Sequence, residues 1–293
     1  MKRYYDKLFY LMITLGAIFS TLIAVLVFFN IFKESLPFLQ TVSWESFLLG
    51  DAWKPLSQNP SYGMLPMIIA TLYISFLAVC LVTPIGIGCA IFLSFCIRKE
   101  TSKIILSFID MLAGVPSVIF GFMGLILLVK FMESHLSMTS GESVLAGGIL
   151  LATMLLPYIV TGCTETLEVG KEMYYLCSLS LGVSKWYTLW HMILPFSASS
   201  LIANMLLAFG RAMGETMAVM MVIGNSPIFP KLMGRAQTIP SLIALELGTA
   251  TYQSTHYASL YTSGLILILL LILIQLLARL IKSWGQKGLS HEK

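Results

Sequence analysis

Charge is scarce in this sequence. Asp, Glu, Lys and Arg together make up 11% of 293 residues, against about 25% in an ordinary soluble domain. Apolar residues fill 57% of the chain, and its mean hydropathy is +0.87. That balance excludes a water-soluble globular fold and predicts an all-α polytopic membrane protein. Cysteine and histidine are also sparse. The five cysteines form no CxxC and the four histidines are scattered, so neither a disulfide frame nor a zinc site is indicated. No GxxxxGK[ST] occurs, and "VGKE" (169–172) has the wrong spacing, so the chain lacks that means of cradling ATP phosphates. The apolar stretches also lack a HExxH, a Ser/His/Asp set and a carboxylate pair, which argues against an intramembrane enzyme.

The long apolar runs supply the architecture. "MKRYYDKLFYLMITLGAIFSTLIAVLVFFNIF" opens the chain. Its apolar part covers roughly 25 residues, longer than the 7–15 of a cleavable signal, and no small-x-small site follows, so a retained span is expected. With about 20 residues needed per crossing, six spans are predicted near 8–32, 64–96, 104–131, 144–163, 193–225 and 259–281. The second and fifth would reach about 50 Å if straight, so breaks are expected at "TPIGIG" (83–88) and at the Gly210/Gly214 pair. With both termini inside, inner segments hold twelve of the eighteen Lys and Arg residues and outer segments five, with Arg211 left within a span. This is the positive-inside bias, and it assigns the net charge of +4 to orientation rather than to nucleic acid. Trp44, Trp53 and Trp284 suit an interfacial belt, and the segments 33–63 and 226–258 lie outside.

Between the fourth and fifth spans runs "TETLEVGKEMYYLCSLSLGVSKWYTLWHM" (164–192), the longest inner stretch. It reads as two short helices joined at Gly182. Tyr175, Leu179, Trp186 and Trp190 would form an aromatic and aliphatic ridge, with Ser184 and Lys185 towards water. Such a ridge can lie on the membrane surface or fill a partner's groove.

Within the fifth predicted span stands "FGRAMGETMAVMMVIGN" (209–225). An ionisable residue at the centre of a span is unfavourable by about 2.5–3.5 kcal/mol on insertion scales, which makes it a functional candidate. Arg211 and Glu215 at i, i+4 would share a helix face. One reading is a structural staple between helices. The other is an anion path, in which the planar guanidinium engages an oxyanion, Glu215 moderates its grip, and Gly210 and Gly214 leave room. Thr216 adjoins the pair and Ser117, after Pro116, is placed to add a hydroxyl. Asp110 is read as either an interfacial carboxylate or a gating group, Asn225 as a cap or a bond across helices, and Glu246 as facing an outer partner.

Two motifs carry a family resemblance. "LCSLSLG" (176–182) followed by Met192, Leu194 and Pro195 resembles the cytosolic EAA loop of ABC importer permeases, with Leu176 and Cys177 in place of its glutamate and alanine. Arg211, Ala212, Gly214, Glu215, Thr216 and Ala218 then resemble the "RAxGETxA" signature of the phosphate-specific (Pst) permeases. "DMLAGVPSVIFGFMGL" (110–125), "IALELG" (243–248) and "HYASLY" (256–261) extend the likeness over roughly residues 60–280, and Trp53 with "YGMLP" resembles PstC more than PstA.

The resemblance implies a type I ABC importer permease fold in a bacterial inner membrane. Residues 1–63 would be an N-terminal span and outer segment, 64–284 the permease core with its coupling loop near 170–195, and 285–293 a cytosolic tail. It implies a non-catalytic subunit that binds no cofactor and imports inorganic phosphate with a second, homologous permease, two cytosolic ATPases that hold ATP and magnesium, and an extracytoplasmic phosphate-binding protein. The implied substrate path is Arg211, Glu215, Gly214, Thr216 and Ser117. The implied ATPase contact is Ser178, Gly182, Trp186, Trp190 and Pro195. Remaining alternatives are an ABC permease for sulfate or molybdate, and a proton-coupled carrier with Glu215 as its proton site.

Overall fold

The computed structural model describes residues 2–136, 138 and 140–290, with side chains from 7 to 283 apart from Leu8. As side chains, Lys2, Arg3, Trp284, Lys287, His291 and Lys293 lie outside the described residues. Among the described residues, six helical stretches are long and apolar enough to cross a membrane: Phe9–Thr41, Leu65–Cys96, Ser117–His135, Val144–Ser180, Lys185–Met213 and Thr255–Ser283.

The first helix, α1 (Lys2–Thr41), buries none of its most apolar stretch in the protein. It packs on the last helix, and the rest of its surface stays apolar and exposed on the chain. A short α2 (Trp44–Leu49) leads into an antiparallel pair, β1 (Trp53–Lys54) and β2 (Ser61–Tyr62), with Trp53 opposite Tyr62. Trp53 is only 5% exposed, so the interfacial-belt expectation fails for it, whereas Trp44 is exposed. Burial also pushes the Tyr62 phenol pKa up.

The second span, α3 (Leu65–Ile91), runs unbroken through Pro84 and widens into a π-turn at Phe92–Cys96. The break expected at 83–88 is absent, and close packing explains the glycine there. A Cβ on Gly86 would stand 2.6 Å from Ile159 Cγ2, so the small residue lets two helices approach. The third span is shorter than predicted. Residues 104–113 belong to a separate helix, α4 (Lys99–Ala113), which ends at Gly114. Pro116 then sets up α5 (Ser117–Met123), a π-turn (Gly124–Val129) and α6 (Lys130–His135).

The fourth span does not stop at 163. It continues as α7 (Val144–Ser180), so the first part of the predicted inner segment is its extension. At the other end of α7 the amides of Ser143, Val144 and Leu145 donate to the carbonyls of Val222, Gly234 and Leu232 at 3.1, 3.0 and 2.9 Å. The outer loop therefore folds over α7 and satisfies amides that a helix start leaves free. Next come α8 (Lys185–Thr188), a π-turn (Leu189–Ile193), α9 (Leu194–Met213), α10 (Met217–Val222), α11 (Ile239–Glu246) and α12 (Thr255–Ser290). The main core lies where α3, α7 and α9 meet, around Ile74, Leu155, Ile159 and Leu167.

Candidate functional site

Gly214 ends α9, and its amide turns back to the Arg211 carbonyl at 3.2 Å while the Glu215 amide donates to the Ala212 carbonyl at 3.2 Å. The break expected at the glycine pair thus falls at Gly214, while Gly210 stays within the helix. Because the helix stops at Met213, Arg211 and Glu215 do not share a helical face. Among the described residues the side chains at salt-bridge distance are Arg235 with Glu142 and His256 with Glu246, so the staple reading finds no Arg211–Glu215 pair. Glu215 Oε1 instead accepts the Ala218 amide at 3.4 Å at the start of α10, and Thr216 Oγ1 donates to the Gly214 carbonyl at 3.3 Å. Asn225 Nδ2 closes the other end of α10 on the Met220 carbonyl at 2.7 Å. The short helix is held against α5, where a Cβ on Gly121 would come within 3.0 Å of Ala218 Cα.

Arg211 opens onto a different group of residues. A cavity of about 310 Å3 is lined by Asp110 of α4, Tyr158, Thr161 and Glu165 of α7, and Asn204 and Arg211 of α9. Thr161 Oγ1 donates to Asp110 Oδ1 at 2.8 Å. Asn204 Nδ2 donates to the Gly162 carbonyl at 2.9 Å and to Thr166 Oγ1 at 3.2 Å, joining α9 to α7. The Arg211 guanidinium carbon lies 5.7 Å from the Tyr158 ring centroid, within reach of a cation–π contact. Arg211, Asp110 and Glu165 are all exposed, so the cavity opens on one side of the chain. Among the described residues no hydrogen bond or salt bridge engages the Arg211 side chain, so a guanidinium shares this cavity with two carboxylates, a setting able to bind an oxyanion and to accept a hydrogen bond from it.

Of the predicted path residues, only Arg211 lines this cavity; Glu215, Gly214, Thr216 and Ser117 do not. Asp110, read as undecided, stands inside it. Tyr158, Thr161, Glu165 and Asn204 were not singled out, yet the signal was present. Tyr158, Thr161 and Glu165 recur at i, i+3 and i+7, and Asn204 and Arg211 at i and i+7, so each set falls on one face of its helix.

At the inner end, Gly182 has φ +73° and sits in open space, so it turns the chain between α7 and α8. Ser184 caps α8 by accepting the Tyr187 amide at 3.3 Å. Ser178 is buried, donating to the Tyr174 carbonyl at 2.8 Å and reaching Met192 Sδ at 3.4 Å, and Pro195 lies in the first turn of α9. Leu181, Trp186 and Trp190 are exposed by 81%, 46% and 61%, an apolar surface larger than a solvated turn requires. Tyr175 departs from the predicted ridge and packs edge-on against Phe95. Ser184 and Lys185 are exposed as expected, and Lys185 Nζ also reaches the Phe95 carbonyl at 3.5 Å. On the outer side Glu246 is half-buried, accepting Trp53 Nε1 at 3.0 Å and meeting His256 Nε2 at 2.8 Å, so its carboxylate has partners within the chain.

The sequence matches the family described as "Binding-protein-dependent transport system inner membrane component" over residues 83–284. The probable ABC transporter permease protein YqgH of Bacillus subtilis is 34% identical over 243 residues, covering 83% of this chain and 79% of that protein. The phosphate transport system permease protein PstC of Xylella fastidiosa is 32% identical over 256 residues, covering 80% and 78%. The probable phosphate transport system permease protein PstC of Methanocaldococcus jannaschii is 30% identical over 295 residues, covering 94% and 93%. Among solved structures, a chain of the inward-facing MetNI methionine ABC transporter matches with a TM-score of 0.57 over 75% of this chain and 97% of its own, at 16% identity, a likeness of fold.

Proposed function

This chain belongs to the family of binding-protein-dependent transport system inner membrane components as a permease subunit of an ABC importer, and from that premise we propose that it carries inorganic phosphate into the cytoplasm. Its similarity to PstC permeases over most of its length supports the choice of substrate. The observation that carries the reading is the cavity in which Arg211 faces Asp110, Thr161, Glu165 and Asn204 on an open side.

A second, homologous permease covers that side, so the cavity is half of a path between two subunits. Two cytosolic ATPases dock on the exposed surface around Leu181, Trp186 and Trp190, with Ser178, Gly182 and Pro195 shaping the segment behind it. An extracytoplasmic phosphate-binding protein delivers the anion, and the complex works in a bacterial inner membrane. This chain binds no cofactor, because ATP and magnesium belong to the ATPases.

Electrostatics set the terms of passage. Arg211 offers a planar fork to two oxygens of a tetrahedral anion, while Asp110 and Glu165 keep the site from gripping too tightly, as a transport site must release. Phosphate near neutral pH retains a proton and sulfate does not. The two carboxylates can accept that proton's hydrogen bond and repel a fully ionised anion. Glu215, which caps α10, is placed beside the path as a structural acceptor, with Gly214 and Thr216 forming the turn that ends α9. Ser117 starts the half-helix packed against it.

Labelled phosphate uptake tests this in cells that lack their own phosphate permeases and express the whole transporter. Arg211→Ala should lower uptake at least about tenfold, equivalent to about 1.4 kcal/mol, while Arg211→Lys keeps part of it. Uptake unaffected by Arg211→Ala, or competed equally by sulfate or molybdate, would overturn the site or the substrate. Uptake that persists without an active ATPase would point to a proton-coupled carrier.

A further inference from the structure

The inner end of α3 is held in an unusual way. Its π-turn closes at Ile97, whose extended backbone (φ −116°, ψ 167°) stops the helix. The last carbonyls of a helix lack intrahelical donors and carry the negative end of its dipole. Two ammonium groups from elsewhere in the chain reach consecutive carbonyls there. Lys171 Nζ, from α7, donates to the Ser94 carbonyl, and Lys185 Nζ, from α8, donates to the Phe95 carbonyl at 3.5 Å.

The aromatic groups around them fix this arrangement from the sides. Lys171 Nζ lies 5.1 Å from the Phe95 ring centroid and 5.6 Å from that of Tyr175, and the two rings meet edge-on at 6.4 Å. Lys185 Nζ lies 5.4 Å from the Trp186 ring. Glu168 and Glu172 line a cavity of about 170 Å3 together with Lys171. Among the described residues, however, no ion pair joins them, and the ammonium is spent on the helix end instead.

We propose that Lys171 and Lys185 are positioning residues that clamp α8 and the inner end of α7 to the end of α3, so that a displacement imposed on α8 is delivered to the second span. The proposal rests on the reading of α8 as the ATPase-docking helix. A cation is required because the target is a pair of carbonyls at a helix's negative end. Methionine fills similar space but donates nothing, whereas arginine restores the donor and the charge.

The test uses the complete transporter in proteoliposomes, with phosphate uptake and ATP hydrolysis measured in the same vesicles. The double variant Lys171→Met/Lys185→Met should retain its ATPase subunits and hydrolyse ATP within about twofold of the unmodified protein, while phosphate carried per ATP falls roughly fivefold or more. The double arginine variant should restore the ratio. An unchanged ratio, or loss of ATPase subunits together with both activities, would overturn the clamp. A second readout needs no substrate. With the other native cysteines replaced by serine, spin labels at Cys96 and at Tyr187→Cys report the distance from α3 to α8. That distance should stay constant on ATP binding with both lysines present and shift in the methionine variant. Equal behaviour of the two proteins would overturn the clamp, whereas an intact clamp in a transporter that moves no phosphate would overturn only the substrate reading.

Discussion

Thr161 donates its hydroxyl to Asp110 Oδ1 across 2.8 Å, tying a helix of the inner side to the long fourth span at the cavity that holds Arg211. The bond sets where one carboxylate points, and among the described residues no other hydrogen bond engages the Asp110 side chain, which lines the cavity. Thr161→Val removes the donor with little change in volume. A hydrogen bond to a charged group contributes about 1.5–3 kcal/mol, so phosphate uptake should fall about tenfold or more, and Thr161→Ser should restore most of it. Equal uptake in the valine and serine variants would show that Asp110 needs no fixed orientation.

Glu246 carries the outer side in the same sense. It accepts both from Trp53 Nε1 and from His256, so one carboxylate joins the β1–β2 hairpin, α11 and α12. Glu246→Ala leaves a buried indole N–H and a buried imidazole without their partner, at a cost of about 1–3 kcal/mol each. The purified protein should unfold several degrees lower, monitored by size-exclusion chromatography after heating. Glu246→Gln keeps an acceptor for the indole and should lose less. If the alanine variant were as stable as the parent but failed to engage the binding protein, Glu246 would be an outer contact residue after all.

Which features were legible follows from physical range. Six spans can be read from composition because lipid demands apolar residues locally, wherever the helix lies. The stop at Gly214 and the turn at Gly182 were readable because glycine acts on its own backbone. The passage of α3 through Pro84 was not, since it depends on α7 lying against Gly86, contributed from more than seventy residues away. The partner of Arg211 was misread for the same kind of reason. An i, i+4 rule holds only while the helix continues, and Gly214 ends it before Glu215. Asp110 reaches the site only because Gly114 and Pro116 separate α4 from α5 and let α4 lie on α7.

Gly182 isolates the role of the turn between α7 and α8. Its φ is +73°, and an added Cβ would touch nothing, so Gly182→Ala introduces backbone strain without a clash. A non-glycine residue held in that region is disfavoured by about 1–2 kcal/mol. The strain should tilt α8 and weaken ATPase retention on purification, leaving the amount of folded permease unchanged. Gly182→Asn, which tolerates a left-handed backbone better, should be milder. Equal retention in all three proteins would show that the docking surface does not depend on this turn.

The cavity and the α10 cap make opposite predictions for the three carboxylates. Glu215 serves as an acceptor for the Ala218 amide, and glutamine keeps a carbonyl oxygen there, so Glu215→Gln should leave phosphate uptake within about twofold and sulfate rejection intact. Asp110 and Glu165 face the same cavity as Arg211, and their charge is what a fully ionised anion must oppose. Asp110→Asn/Glu165→Gln should therefore admit sulfate as a competitor, lowering its half-inhibitory concentration about tenfold or more, a shift of about 1.4 kcal/mol in relative binding. Phosphate uptake in this variant should change less than sulfate inhibition, because the amide oxygens still accept its proton's hydrogen bond. Should Glu215→Gln admit sulfate while the double variant does not, anion selection would lie at the turn after α9, and the cavity would be a passage without discrimination.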